Sequence, residues 1–217
     1  MSDEKRFMDN KNIEEVTPDM LITEYLNNTS ELKDLDKISE AYDTVDRALF
    51  LSDVTPEIAD AIEHIIRIYN VMDKDIPTEE RKPIKLFINS NGGSAIGCLE
   101  IIDAINLSKT PVYTINIGLA ASAGLDVFIT GKKRFCYPNA TFLFHEGSTS
   151  LSSIDAGKFR NYSDWYDRLL KRTKDNLIKN TKVTPELYKE KQNDDWWFFA
   201  EEAIEYGFCD EVLEEFI

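Results

Sequence analysis

The residues best equipped for chemistry fall in two glycine-bearing segments and at one histidine. Gly118-Leu119-Ala120-Ala121-Ser122-Ala123-Gly124 is a run of small residues opening a predicted helix, with Ser122 at its start. A hydroxyl there sits beside N–H groups that a first helical turn leaves without acceptors, and near the positive end of the helix dipole. Upstream, a strand ends in Ser90-Asn91-Gly92-Gly93, where glycine lets backbone approach a substrate and aim an N–H at it. The N–H groups of Gly93 and Ala123 could then surround a tetrahedral oxyanion. Each piece alone has a plain structural explanation: a Gly-Gly pair is usually a turn, and a serine among alanines is usually packing or a cap.

A serine nucleophile needs a base that titrates near neutral pH, and the chain has two histidines. His64 shares the polar face of an amphipathic helix with Glu57, Asp60 and Arg67, so solvent is its expected surrounding. His145 closes the apolar strand Phe142-Leu143-Phe144 at a Glu-Gly break. The plain reading is a satisfied strand-end histidine. The functional one is a base that takes the Ser122 proton and returns it to the leaving amine. Asp194 and Asp195 precede Trp196-Trp197-Phe198-Phe199, an aromatic run that would keep water from a neighbouring carboxylate. Either acid could orient the imidazole, and composition does not choose between them.

The elements that would position these groups alternate between strand and helix. Arg47 to Leu51 is a short apolar run with the signature of a buried strand. Thr55-Pro56-Glu57 starts a helix with a hydroxyl cap, proline in the first turn and an acid beside it. Its predicted buried stripe is Ile58, Ile62, Ile65, Tyr69 and Met72. Predicted strands follow at Lys85–Asn89, Val112–Ile117, Arg134–Tyr137, Thr141–His145 and Glu211–Leu213. Helices are expected over Ser94–Leu107, Ala120–Ile129, Ile154–Asn180, from Thr184-Pro185-Glu186, and over Ala200–Tyr206. The helix to Asn180 would turn Phe159, Tyr162, Tyr166, Leu169, Thr173 and Leu177 along one stripe. This pattern predicts an α/β domain with a parallel sheet.

The 217 residues suffice for one substantial core, and 42% hydrophobic with 30% charged residues is the balance of a globular protein. A net charge of −15 argues against a general nucleic-acid binder. No apolar run is long enough for a spanning helix, and the polar start, Met1 to Asn12, lacks the apolar core of a secretory signal. Cys98, Cys136 and Cys209 are odd in number and far apart, which predicts buried free thiols, no zinc site, and a reducing, cytoplasmic setting. Residues 1–36, rich in Asp, Glu, Lys and Asn, are expected to be an extension, disordered in part or ordered by a partner, with a short amphipathic segment at Met20–Leu26. Residues 37–217 would form the catalytic domain.

From Arg47 to Leu213 the chain resembles the ClpP family, the proteolytic subunit of the ATP-dependent Clp protease. The resemblance is carried by Leu86–Gly93, by Gly118–Gly124, by Lys133–Ala140 leading to His145, and by Asp195 with Ala200–Gly207 and Asp210. It implies that Ser122 is the nucleophile, His145 the base and Asp195 the third triad member, with Gly93 and Ala123 as oxyanion donors. It also implies a ClpP/crotonase-like fold of repeated β-β-α units, with Ile154–Asn180 as a long handle helix. Through that helix, two seven-membered rings would stack as a closed homo-oligomeric chamber, a tetradecamer, fed with unfolded polypeptides by an AAA+ ATPase. No metal or nucleotide is needed on this chain.

Several positions depart from the family pattern. Asn91 stands in place of proline, Ala123 in place of methionine after the nucleophile, and Glu146-Gly147 in place of Gln-Pro after the base. Glu146 adds a carboxylate that, turned inward, would compete with Asp195 for the imidazole. Ser150–Ser153 replaces a Gly- and Gln-rich handle entry, and Lys85 replaces an aromatic residue of the ATPase-docking surface, where Phe87 keeps a second one. These mark a divergent branch. Two other readings stand beside the peptidase: a degenerate ring subunit that scaffolds active ones, and a crotonase-type acyl-CoA enzyme sharing the oxyanion geometry.

Overall fold

The computed structural model describes residues 46–147, 149 and 155–217. The expected extension over 1–36, the Met20–Leu26 segment and the handle entry at Ser150–Ser153 lie outside the described residues. From Leu49 to Ile217 the chain forms one unit. Its elements run β1 (Ala48–Val54), α1 (Pro56–Met72), β2 (Ile84–Gly93), α2 (Ala95–Leu107), β3 (Val112–Ala121), α3 (Ala123–Phe128), β4 (Lys133–Cys136), β5 (Thr141–Phe144), α4 (Ala156–Asn180), α5 (Pro185–Lys191), β6 (Trp196–Phe199), α6 (Ala200–Glu205) and β7 (Glu211–Val212).

The sheet follows the order β1-β2-β3-β4-β7, with β5 on β3 and β6 on β5. β2 to β3, β3 to β4, β3 to β5 and β4 to β7 are parallel, as expected of an α/β sheet. β3 is long enough to serve two neighbours: Tyr113–Asn116 pair with β4, and Leu119–Ala121 pair with β5. The switch between these partners puts the end of β3 at a fork in the sheet, where strand ends carry ligand sites.

Local chemistry accounts for the helix starts. Thr55 accepts the N–H of Ile58 ahead of Pro56, Ser94 accepts that of Gly97, Asp155 that of Lys158 and Thr184 that of Leu187. Ile88, Ile101, Phe128, Phe142, Phe198 and Phe208 are fully enclosed in one continuous core. All three cysteines are buried and free. His64 is exposed, and its Nδ1 meets Arg67 at 2.7 Å.

The structure corrects several boundaries. α1 buries Ala59, Ile62, Ile66 and Tyr69, so its inner stripe is rotated from the one predicted, and Met72 is 62% exposed. β2 runs through Ser90-Asn91-Gly92-Gly93 instead of turning there, and β3 continues through Ala120 and Ala121, which were expected in the next helix. Trp196–Phe199 is a strand antiparallel to β5, not simply an aromatic shield. Of the stripe expected on α4, only Leu169 and Leu177 are buried, while Phe159 is 52% exposed.

Arg134 on β4 fastens the chain's last third to the sheet. Its guanidinium donates to Asp210 through Nε at 3.0 Å and through a second, shorter bond. It also donates to the carbonyls of Asn180 and Gly207. One side chain thus closes the end of α4, the stop of α6 and the approach to β7. Burial alone would raise the Asp210 carboxyl, but the Arg134 bonds and charge outweigh it and hold it below the usual carboxylate range. Arg134→Met is therefore expected to lower unfolding free energy by about 2–4 kcal/mol, because it strands two carbonyls and a carboxylate. Asp210→Asn should cost less. A group with a depressed folded pKa stabilises above its unfolded value and loses that contribution on acidification, so the Asp210→Asn deficit should shrink as pH falls below about 4. Denaturant melts at several pH values check both, and a pH-independent deficit would refute the charge pairing.

Candidate active site

The site is built where β2, β3 and β5 end together. Ser122 leaves β3 with φ 54° and ψ −125°, and its own N–H still donates to the Leu143 carbonyl of β5 at 3.0 Å. Its carbonyl already accepts the N–H groups of Leu125 and Asp126 inside α3. One residue therefore ends a strand and begins a helix, with the left-handed backbone that such a turn demands. For a non-glycine residue that conformation costs roughly 1–3 kcal/mol, and such strain collects at functional positions.

Three glycines make this turn possible. A Cβ on Gly92 would lie 2.8 Å from Ser122 Cβ and 2.9 Å from the Ala121 carbonyl oxygen. One on Gly124 would lie 2.8 Å from Ser90 Cβ, and one on Gly93 would overlap the Val54 carbonyl. Gly92 and Gly93 have φ of 98° and 143°, out of reach for ordinary side chains. The end of β2 is thus pressed onto the start of α3. Ala123, the first residue of α3, carries one of the N–H groups that a helix start leaves without an intrahelical acceptor.

Ser122, Gly93, Ala123 and His145 line one cleft of about 320 Å³, closed on its far side by Tyr162, Trp165, Tyr166 and Leu169 of α4. His145 follows β5 directly and is half-buried. Its Nδ1 lies 3.0 Å from the Glu146 carbonyl oxygen. A carbonyl can only accept, so Nδ1 carries the proton and the Nε2 lone pair is left to act as a base. The Glu146 carboxylate does not turn to the imidazole; it accepts the Tyr188 hydroxyl at 3.0 Å.

Asp194 and Asp195 are both exposed and lie with Lys191, Trp196 and Trp197 outside the cleft. Among the described residues no hydrogen bond joins Asp195 to His145. Thr141 faces Phe199 and Phe144 faces Trp196, so the ladder stops one step short of His145 and Asp195, and extending it by that step would set the two opposite each other.

Three cleft residues escaped the sequence reading. Asp126 stands one helical turn below Ser122, and desolvation pushes its carboxyl up to about 8. Cys98, fully enclosed, donates from Sγ to the Ala123 carbonyl at 3.3 Å, and burial then the Asp126 charge keep its thiol protonated. Tyr188 is buried between Phe144 and Lys174, whose ammonium lies 4.6 Å from its ring centroid; burial first and then Glu146 raise the phenol's pKa. The available signal for Asp126 was a lone acid inside the apolar run Leu125-Asp126-Val127-Phe128.

A largely parallel sheet of strand-helix units, with a long helix lining a serine-bearing cleft, is an α/β architecture consistent with the ClpP fold. The family model described as Clp protease matches residues 36–216. The ATP-dependent Clp protease proteolytic subunit of Streptococcus mutans is 36% identical over 144 residues, 63% of this chain and 71% of that protein. Its counterpart in Streptococcus sanguinis is 34% identical over 143 residues, with the same coverage of 63% and 71%. The ATP-dependent Clp protease proteolytic subunit 2 of Treponema pallidum is 31% identical over 162 residues, 72% of this chain and 77% of that protein. The chain belongs to the Clp protease family, a family of serine peptidases, as a divergent member. Among the described residues no helix is long and apolar enough to cross a membrane.

Two outcomes follow from this geometry. Gly93→Ala should lower the melting temperature steeply, because the added carbon meets backbone and not a side chain that can move aside; an unchanged melt would contradict the close approach. Asp126 has a folded pKa of about 8 against an ordinary 3.8. A raised acid contributes its stability fully below the unfolded value and loses it as pH rises through the folded one. Asp126→Asn should therefore gain on wild type as pH climbs from about 4 to about 8. Parallel melting curves for the two proteins across that range would refute the burial.

Proposed function

We propose that this chain is a serine endopeptidase that cleaves unfolded polypeptides and peptides with a Ser122-His145-Asp195 triad. The observation that carries the reading is Ser122 in a strained strand-to-helix turn, in the same cleft as His145. The Ser122 oxygen attacks the peptide carbonyl carbon while Nε2 of His145 takes its proton. The N–H groups of Gly93 and Ala123 hold the oxyanion. The C–N bond then breaks as His145 returns the proton to the amine, and water releases the acyl group by the same steps in reverse roles. Asp195, opposite His145 in the extended register, steadies the imidazolium once side chains turn toward each other.

The domain from 37 to 217 would work inside a closed homo-oligomer of stacked seven-membered rings, in the cytoplasm, with residues 1–36 as an extension. The exposed aromatic residues of α4 and of β6, where Trp197 is 53% and Phe199 57% exposed, support self-association. An AAA+ ATPase as the feeding partner is supported by the names of the relatives, which are ATP-dependent Clp protease subunits. The stacked pair Phe50 and Phe87 offers an aromatic surface for it.

Purified wild type should be labelled by a fluorophosphonate and cleave fluorogenic peptides, and Ser122→Ala should lose both. Labelling that survives in Ser122→Ala sinks the assignment, and silence of the wild type with every ATPase offered would favour a scaffolding subunit. Asp195→Asn should lower kcat by about 10²–10⁴ while Asp194→Asn leaves it within about twofold. Equal effects would transfer the orienting role to the Glu146 carbonyl.

A further inference from the structure

The cleft below Ser122 carries a carboxyl that the hydrolytic chemistry does not use. Ser122 and Asp126 are joined by the helical bond from the Asp126 N–H to the Ser122 carbonyl, 3.1 Å. The two residues are therefore about one turn apart, roughly 6 Å along the axis. Both line the cleft. The cleft walls include the apolar Cys98, Phe144, Leu169 and Leu177 beside the polar Thr173, Lys174 and Tyr188. The groups its charge meets are the Cys98 thiol and the Tyr188 phenol, and it opposes the ionisation of both.

The other charges in the cleft are already engaged. Glu146 accepts the Tyr188 hydroxyl, and Lys174 lies over the Tyr188 ring. His145 gives its Nδ1 proton to the Glu146 carbonyl. Asp126 is thus left at the bottom of the cleft as a carboxyl whose oxygens take part in no hydrogen bond or ion pair among the described residues. Residue 126 keeps a partial opening onto the cleft while desolvation pushes its carboxyl up to about 8.

The geometry points to Asp126 as a specificity-determining residue that selects a lysine or arginine side chain on the acyl side of the bond being cut. The inference rests on Ser122 being the nucleophile. With the acyl carbon at Ser122, the side chain of that residue enters the cleft beside it, and a lysine or arginine spans one helical turn to reach the carboxyl. Apolar walls receive the methylene stem, and low local dielectric strengthens the ion pair at its end. An arriving cation draws the proton from Asp126, turning an unfavourable buried acid into a paired one. An apolar side chain would leave that acid unpaired, which is how a polar site rejects ligands lacking the matching group.

The test uses the full chain and four fluorogenic peptides that differ only at the cleaved residue: Lys, Arg, Leu and Glu. Wild type should cleave the Lys and Arg peptides with kcat/KM at least about tenfold above Leu, and Glu least of all. Asp126→Leu should reverse the Lys-to-Leu order, and Asp126→Asn, nearly equal in volume, should bring the ratio near unity. A wild type that prefers Leu or Glu overturns the inference, as does an unchanged ratio in variants that are folded and unfold cooperatively. Fluorophosphonate labelling of Ser122 separates the two levels of failure. Labelling without Lys or Arg preference sinks the specificity alone, whereas no labelling and no cleavage sinks the peptidase reading and this inference together.

Discussion

The close approach of β2 to the β3–α3 turn is the constraint from which the rest of the site follows. The chain comes so close there that a Cβ on Gly92, Gly93 or Gly124 would meet Ser122, the Val54 backbone or the Ser90 side chain at under 3 Å. Contact at that range forces Ser122 into its left-handed conformation, and this lifts its side chain off the strand and into the cleft. The contact also reaches β1, because the Val54 carbonyl that excludes a side chain at Gly93 accepts the Ser94 N–H at 2.7 Å. Ser94 in turn caps α2. Two helix starts and three strand ends are therefore locked by one patch of side-chain-free backbone, which is the rigidity a preorganised oxyanion site requires.

The charged and titratable groups of the cleft rest on neutral partners more than on ion pairs. Glu146 is steadied by a neutral phenol, and Lys174 by the face of the same ring. His145 is held in one tautomer by a backbone carbonyl, which fixes the proton on Nδ1 without placing a second negative charge beside the imidazole. Among the described residues the Asp126 carboxyl has no such arrangement. The desolvation that raises its pKa is what a cationic partner would offset.

Much of this was legible from residue types. Thr55-Pro56-Glu57 and Thr184-Pro185-Glu186 announced two helices through cap chemistry alone, and both begin there. Ser122 and His145 were singled out and do share a cleft. Where the reading slipped, tertiary contact overrode a local rule. Gly92-Gly93 looks like a turn, but it is extended strand held straight by Val54 and Ser122. Ala120-Ala121 favours helix, yet pairing with Phe142 and Leu143 of β5 draws both into β3. Composition does not choose between Asp194 and Asp195, because which acid meets the imidazole depends on how two strand ends meet in space and not on residue type. Asp126 was passed over because a single acid in a short helix reads as exposed until the helix is seen to be enclosed.

The long helix α4 ties an exposed aromatic surface to the cleft. Its C-terminal half is anchored from within: Asn176 donates to the Asp126 carbonyl at 3.1 Å and to the Thr130 hydroxyl, Leu177 is buried, and Arg134 holds the carbonyl of Asn180. In its N-terminal half the Tyr162 hydroxyl meets Thr149 Oγ1 at 3.0 Å, Tyr162, Trp165 and Tyr166 pack on one another, and Phe159 is 52% exposed. The same half supplies the outer wall of the cleft. A helix held at one end by hydrogen bonds and at the other by an uncovered aromatic surface takes its final position from whatever covers that surface. Covering that surface and closing the cleft are therefore coupled, because the aromatic residues that finish the cleft wall belong to the exposed half of the same helix.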